Sequence, residues 1–360
     1  MKKENYKVLG VMSGTSLDGI DVAVCNFVPP ESSKTARWEY GMGVTQTIPY
    51  SKEWKKKLKH AISLNKEALA VLDKEYTTYL GHCILSFITD NNVKNLDAVC
   101  SHGHTVLHQP NDGVTLQIGN LSIISEILKQ TVVCDFRVQD VQMGGQGAPL
   151  VPIGDQLLFR EYDYCLNLGG FANLSTQHYD KRVAYDICPV NIVLNHLCER
   201  IGLAYDDKGA IAREGFVLDR LLKKLNRLEF YHQKPPKSLG LEWVKEQVMP
   251  LIESSGLDER GAIATFTVHA AKQIAAQVKP NSSLLITGGG AYNTYLIEKI
   301  TEFAQVTVHI PEAKLLEFKE ALIFGFLGVR KLREEINCLS SVTGATIDHS
   351  SGVVFKYNEL

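Results

Sequence analysis

An apolar run from Tyr6 to Met12 breaks into Ser13-Gly14-Thr15-Ser16-Leu17-Asp18-Gly19 and resumes as the alternating Ile20, Val22 and Val24. Two strand-like runs flanking a short turn rich in glycine and hydroxyls constrain this stretch to a β-hairpin. The turn has what a triphosphate site needs. Glycines let backbone N–H groups approach phosphate oxygens, hydroxyls add donors, and a carboxylate can hold magnesium. A hairpin tip differs from a strand-to-helix phosphate loop, and Gly-x-x-x-x-Gly-Lys-Ser/Thr is absent. Taken alone, the segment reads equally well as an ordinary hairpin turn.

Two more glycine-rich turns follow strand-like runs: Asn167-Leu168-Gly169-Gly170-Phe171-Ala172-Asn173 and Thr287-Gly288-Gly289-Gly290-Ala291. Three such turns in this order resemble the actin, hexokinase and Hsp70 ATPase superfamily, in which they grip in turn the outer phosphates, the inner phosphates and the adenosine. That resemblance implies an α/β chain with a two-domain actin-like ATPase (ribonuclease H-like) fold and an interdomain cleft.

Longer strings narrow the resemblance to one family. Gly10-Val11-Met12-Ser13-Gly14-Thr15-Ser16-Leu17-Asp18-Gly19-Ile20-Asp21 is similar, almost residue for residue, to the opening signature of the anhydro-N-acetylmuramic acid kinases of bacterial cell-wall recycling. So are Asp135-Phe136-Arg137 with Asp140, the block from Gly144 to Pro152, the two later glycine turns, Glu320-Ala321, and Ser341-Val342-Thr343-Gly344-Ala345. The resemblance thus runs from residue 10 to 345. It implies that ATP, water and 1,6-anhydro-N-acetylmuramic acid are converted to N-acetylmuramic acid 6-phosphate and ADP, with Mg2+.

Composition agrees with such an enzyme. At 360 residues and 45% hydrophobic the chain exceeds one comfortable core, so two domains are expected. The resemblance implies that a C-terminal segment returns to the first of them, giving 1–130 plus 340–360 for the phosphate loop and 131–339 for nucleotide and sugar. A net charge of −2 argues against a nucleic-acid surface, and Lys55-Lys56-Lys57 reads as a solvated helix face. Eight cysteines without Cys-x-x-Cys spacing lie mostly in apolar strings, as reduced buried thiols of a cytoplasmic protein do. No apolar stretch approaches the ~18 residues of a membrane span. The expected partners are therefore ATP and a small sugar, with no nucleic acid and no membrane; the sequence leaves a homodimer open.

Periodicity predicts strands at 6–12, 20–27, 98–101, 132–135, 164–168, 182–186, 284–287 and 306–309. It predicts helices at 52–63, 66–88, 192–202, 207–227, 241–254, 259–278, 293–303 and 319–335. Pro235-Pro236 marks a surface loop.

The family resemblance distributes roles over these elements. Asp186, at a strand end, matches the catalytic aspartate, a base for the water that attacks the anomeric carbon; a plain helix cap is the alternative. Gly14, Thr15, Ser16, Leu17, Asp18 and Gly19 would cradle phosphate, with Asp18 toward Mg2+ unless it only stabilises the turn. Gly169, Gly170, Asn173, Gly288, Gly289 and Gly290 complete the ATP-binding set. On the sugar side stand His102, His108, Arg137 and Glu320. Arg137 would fork onto the lactyl carboxylate or another oxygen of the sugar, with an interdomain salt bridge as the alternative, and Glu320 would hold sugar hydroxyls or bridge across the cleft, with an exposed helix acid as the alternative. His102, His104 and His108 have a spacing that suggests zinc, but kinase chemistry needs none there, and the family usually carries glutamine in place of His104.

One departure stands out. The family usually reads Asp-Thr-Gly-Pro-Gly-Asn after the base, whereas this chain reads Asp186-Ile187-Cys188-Pro189-Val190-Asn191. Two lost glycines and a lost hydroxyl predict a bulkier, more apolar pocket and an altered sugar preference. A kinase for another anhydro-sugar and a non-catalytic ATP-binding switch are the alternatives, and retention of Asp18, Arg137, Asp186 and Glu320 favours an enzyme.

Overall fold

The structure, a computed structural model, describes residues 3–14 and 16–357. Its contacts form two compact units, Met1–Leu158 with Phe318–Leu360, and Phe159–Glu317. The chain re-enters the first unit within helix Ala313–Leu332, where Phe318 (φ −108°, ψ 16°) departs from helical geometry.

In the first unit the strands are β1 (Tyr6–Ser13), β2 (Gly19–Val28), β3 (Glu39–Pro49), β4 (Ala98–Gln109), β5 (Val114–Ile118) and β6 (Val132–Cys134). β3, β2 and β1 are successively antiparallel, and β4 and then β6 follow parallel to β1. β5 folds back on β4, and the strand Val353–Phe355 closes the edge beside β6. In the second unit the strands are β7 (Tyr164–Leu168), β8 (Phe171–His178), β9 (Lys181–Pro189), β10 (Ser283–Thr287) and β11 (Thr307–His309). Here too an antiparallel trio, β9-β8-β7, is extended by two parallel strands, β10 and β11. The same order and sense therefore occur twice among the described residues. That repetition is the α/β arrangement expected of an actin-like ATPase.

Central strands are buried on both faces, which is why β1 reads as an apolar run rather than an alternation. On one face Leu9, Val11, Ile20 and Val22 pack with Tyr76, Leu80 and Ile84 of helix Lys66–Asp90. On the other, helix Ala313–Leu332 lies so close to β1 that a Cβ on Gly10 would stand 1.9 Å from the Ala321 carbonyl oxygen. Only glycine fits at residue 10, and this contact ties the first signature block to Glu320-Ala321.

That packing keeps residues 318–332 in the first unit, and the pairing of β6 with β4 keeps 131–158 there too. Both boundaries differ from the division at 130/131 and 339/340 read from the sequence. Two expected helices are also interrupted. Residues 207–227 break at Lys208 (φ 55°) and Gly209 (φ 72°), and again at Gly215, which packs against Ala264 of helix Glu259–Ala275. Residues 241–254 contain a π-turn, Val244–Val248, ahead of Pro250, whose missing N–H cannot continue a regular ladder.

Candidate active site

β1 and β2 pair as far as Ser13 with Ile20, so Gly14 and residues 16–18 lie at the tip of a hairpin. Thr15 lies outside the described residues. Ser16 and Asp18 are exposed, and Leu17 takes a left-handed φ of 61°. Among the described residues the Asp18 carboxylate has no hydrogen-bond partner. Gly19 is glycine for a different reason than phosphate approach, since a Cβ there would stand 2.5 Å from the Ile48 carbonyl oxygen of β3.

Directly behind the tip, Ser13 Oγ lies 2.5 Å from the Tyr50 hydroxyl, 2.9 Å from that of Tyr76 and 3.1 Å from His104 Nδ1. The two tyrosine hydroxyls are themselves 2.5 Å apart. Parallel pairing of β1 with β4 brings His104 opposite Ser13, and burial pushes its pKa down to about 4, so the ring is neutral. The sequence held no signal for this network, whose members are far apart along the chain.

Arg137 stands at the start of helix Val138–Gln142, where its Nε donates to His102 Nε2 at 2.7 Å and its Nη1 to the Gly147 carbonyl at 2.6 Å. His102 Nδ1 donates in turn to the Gly103 carbonyl at 2.8 Å, which leaves Nε2 as the acceptor that Arg137 requires. Burial and the neighbouring guanidinium hold His102 well below its ordinary pKa. Burial lowers Arg137 to about 10, opposed by the nearby Glu320 carboxylate, so it stays cationic at neutral pH. His108, whose Nδ1 is 3.1 Å from Thr115 Oγ1, is lowered by burial and by the same Arg137 charge. The Glu320 side chain reaches solvent, yet the surrounding protein raises its pKa, against the pull of Arg137. His102, His108, Arg137 and Glu320 thus share one electrostatic neighbourhood. The three histidines do not converge on a metal position, since His102 faces Arg137 and His104 faces Ser13.

In the second unit Gly169-Gly170 is the hairpin turn between β7 and β8. A Cβ on Gly169 or Gly170 would meet nothing closer than 3.5 Å, and one on Gly289 nothing within 4 Å. These three leave open ground beside the backbone. Gly288 (φ 85°) and Gly290 are packing glycines, with a Cβ standing 2.5 Å from Asn167 Oδ1 in the first case and 2.7 Å from Leu168 Cβ in the second.

Asp186 lies on β9 opposite Asn173 of β8. Its Oδ1 accepts from Asn173 Nδ2, its Oδ2 accepts from the Leu239 backbone N–H at 2.8 Å, and its own N–H donates to the Lys237 carbonyl at 3.1 Å. Burial raises its pKa above the ordinary aspartate value of 3.8, opposed by those two hydrogen bonds to the charged form. Asp186 caps no helix, because helix Asn191–Glu199 begins after Val190. Asn173, expected to contact ATP, spends its amide on this carboxylate. Leu239, beyond the Pro235-Pro236 loop, was invisible in the sequence because a backbone N–H leaves no side-chain signature.

The altered stretch after Asp186 faces inward. Ile187, Cys188 and Val190 are fully buried with Val193, Leu194 and Phe266, and the Cys188 thiol points at the Ala270 carbonyl. A bulge at Ile187 between β8 and β9 absorbs the change, and Val190 takes a negative φ of −133°. These side chains fill a core, so the expectation that they narrow a sugar pocket is corrected.

The described cysteines are all free thiols, and all but the half-buried Cys83 are buried. No helix of the described residues is long and apolar enough to cross a membrane.

Comparison with known proteins matches residues 6–357 to the family model described as anhydro-N-acetylmuramic acid kinase. The kinase of that name from Acinetobacter baylyi is 31% identical, with 94% of this chain and 96% of that protein covered. Those from Francisella tularensis subsp. novicida, 32% identical over 96% and 97%, and Azorhizobium caulinodans, 33% over 97% and 99%, agree. With near-complete coverage of both partners in every case, this chain belongs to the anhydro-N-acetylmuramic acid kinase family.

Proposed function

We propose that the chain is a cytoplasmic, ATP-dependent kinase that opens the 1,6-anhydro ring of anhydro-N-acetylmuramic acid and phosphorylates O6 in the same reaction. Asp186 takes a proton from water as the water oxygen bonds to the anomeric carbon. The bond from that carbon to the bridging oxygen breaks, and the bridging oxygen, still on C6, takes the γ-phosphoryl group of ATP. N-acetylmuramic acid 6-phosphate and ADP result.

The observation that carries this reading is the way Asp186 is held. A carboxylate fixed through both oxygens, by Asn173 and by the Leu239 N–H, is oriented as a base must be. Burial raises its pKa and so makes it a better proton acceptor. Within the first unit the hairpin tip around Ser16 and Asp18 suits phosphate and the Arg137 neighbourhood suits the sugar; within the second, the glycine turns suit a nucleotide. Nη2 of Arg137 has no hydrogen-bond partner among the described residues and suits an anionic or hydroxyl oxygen of the sugar. The exposed, unpartnered Asp18 carboxylate is a hard oxygen donor of the kind Mg2+ prefers, so the tip fits the ion, which supplies charge neutralisation to the phosphates when bound. Burial of Cys188 and Val190 removes the reason for preferring another anhydro-sugar.

The test is ATP consumption with anhydro-N-acetylmuramic acid, anhydro-N-acetylglucosamine and glucose, the sugar product identified by mass. One ADP per muramic acid 6-phosphate is expected, and preference for either other sugar would overturn the assignment.

A further inference from the structure

The Asp140 carboxylate is fully buried, and its Oδ1 receives the Cys338 thiol at 3.0 Å and the Thr343 hydroxyl at 2.7 Å; its Oδ2 accepts from the Gly147 N–H at 2.7 Å. His349 Nε2 stands 3.6 Å from the same Oδ1. That nitrogen is buried and hydrogen-bonds to nothing among the described residues, while its ring partner Nδ1 faces the Ile347 carbonyl at 3.1 Å. Cys338 and His349 are brought side by side by two mutual backbone hydrogen bonds of 3.1 Å, an isolated antiparallel bridge. One oxygen, one sulfur and one nitrogen ligand atom therefore lie within 4.8 Å of one another, all from buried residues.

We propose that Asp140, Cys338 and His349 bind a zinc ion that fastens the segment 337–351 to the helix carrying Asp140. Three features point to a cation of this softness. Thiolate and imidazole disfavour Mg2+ and Ca2+ and suit Zn2+, and three protein donors leave the fourth tetrahedral position to a water. The charges also balance, since a carboxylate, a thiolate and a neutral imidazole around a divalent ion sum to zero, which a buried site requires. Finally, Nε2 of His349 is a buried lone pair without a donor, a costly arrangement that a metal–nitrogen bond relieves. Burial keeps the Cys338 thiol protonated in the metal-free chain, so binding forms the Zn–S bond and releases one proton to solvent. The inference does not depend on the kinase reading, although Gly147 links the two neighbourhoods, its N–H bonding Asp140 and its carbonyl accepting from Arg137.

The protein is stripped with chelator and titrated with Zn2+ and with Co2+, alongside His349→Gln and Cys338→Ser. His349→Gln is the decisive variant, because Nε2 holds no hydrogen bond whose loss would unfold the metal-free chain. One Zn2+ per chain, a thiolate-to-cobalt charge-transfer band, and a Tm raised by Zn2+ in the parent protein are expected. Both variants should lose the band and bind Zn2+ at least about tenfold more weakly. A parent protein with no charge-transfer band, or with a zinc response identical to that of His349→Gln, would show a hydrogen-bonded cluster only and overturn the site.

Discussion

The Leu239 N–H donates a 2.8 Å hydrogen bond to Oδ2 of Asp186, a residue 53 positions earlier. Together with Asn173 on the other oxygen, it holds the carboxylate in one orientation and favours its charged form. Asn173→Ala should therefore act through Asp186. Turnover is expected to fall by roughly tenfold to a hundredfold, ATP affinity to hold, and the acid limb of the pH–rate profile to move to higher pH, because the base loses a stabilising donor and must still be deprotonated to act. Weakened ATP binding with an unmoved pH profile would instead make Asn173 a nucleotide contact.

Neighbouring glycines should behave oppositely. A side chain on Gly289 meets no protein atom within 4 Å, whereas one on Gly288 would sit at φ 85° and 2.5 Å from Asn167 Oδ1. Gly289→Val is expected to raise the KM for ATP with little change in Tm, and Gly288→Val to lower the Tm by several degrees. Thermal unfolding and ATP titration of the pair separate the two effects; equal Tm losses would remove Gly289 from the nucleotide site.

Val190→Ala should cost about 2–4 kcal/mol of stability, as truncation in a packed core does, and leave the preference among anhydro-sugars unchanged. Denaturant midpoints and kcat/KM for two anhydro-sugars check both halves. A shifted preference at unchanged stability would restore the idea of a remodelled pocket.

His104 adds a pH dependence to stability. Its folded pKa of about 4 lies below the ordinary 6.5, so the unfolded chain binds the proton more readily. The resulting stability is complete above pH 6.5 and is lost as pH falls toward 4, a swing on the order of 3 kcal/mol. His104→Gln, with an amide in place of the ring, is expected to flatten the decline between pH 6.5 and 4, as measured by unfolding free energies at pH 7 and 5. An unaltered slope would exclude the His104 ring as its source.

Much of the fold was legible in the sequence because hydrophobic runs report burial. β1, β7 and β10 are buried on both faces and stand out as continuous apolar strings. β3, an edge strand carrying Gly41, Gly43 and a Thr-Gln-Thr stretch, gave no such signal, and β8 was hidden behind the Gly169-Gly170 turn. The signature blocks were visible, but their reasons for being together were not. Through one carboxylate Asp140 joins Gly147 to Thr343, which lies 203 residues beyond Asp140, and Gly10 exists for the backbone of Ala321. Reading Cys188 and Val190 as pocket residues failed because proximity to Asp186 along a strand says nothing about which face a side chain takes, and the bulge at Ile187 resets that alternation.

The central claim, that Asp186 is the base, is tested most directly by single-turnover kinetics of Asp186→Asn with ATP and anhydro-N-acetylmuramic acid. The amide preserves shape but cannot take the proton, so sugar phosphorylation should fall by at least ~10²-fold while the Kd for ATP stays within about twofold. Near-parent turnover in a variant that binds ATP normally would contradict the assignment and remove Asp186 from the chemistry.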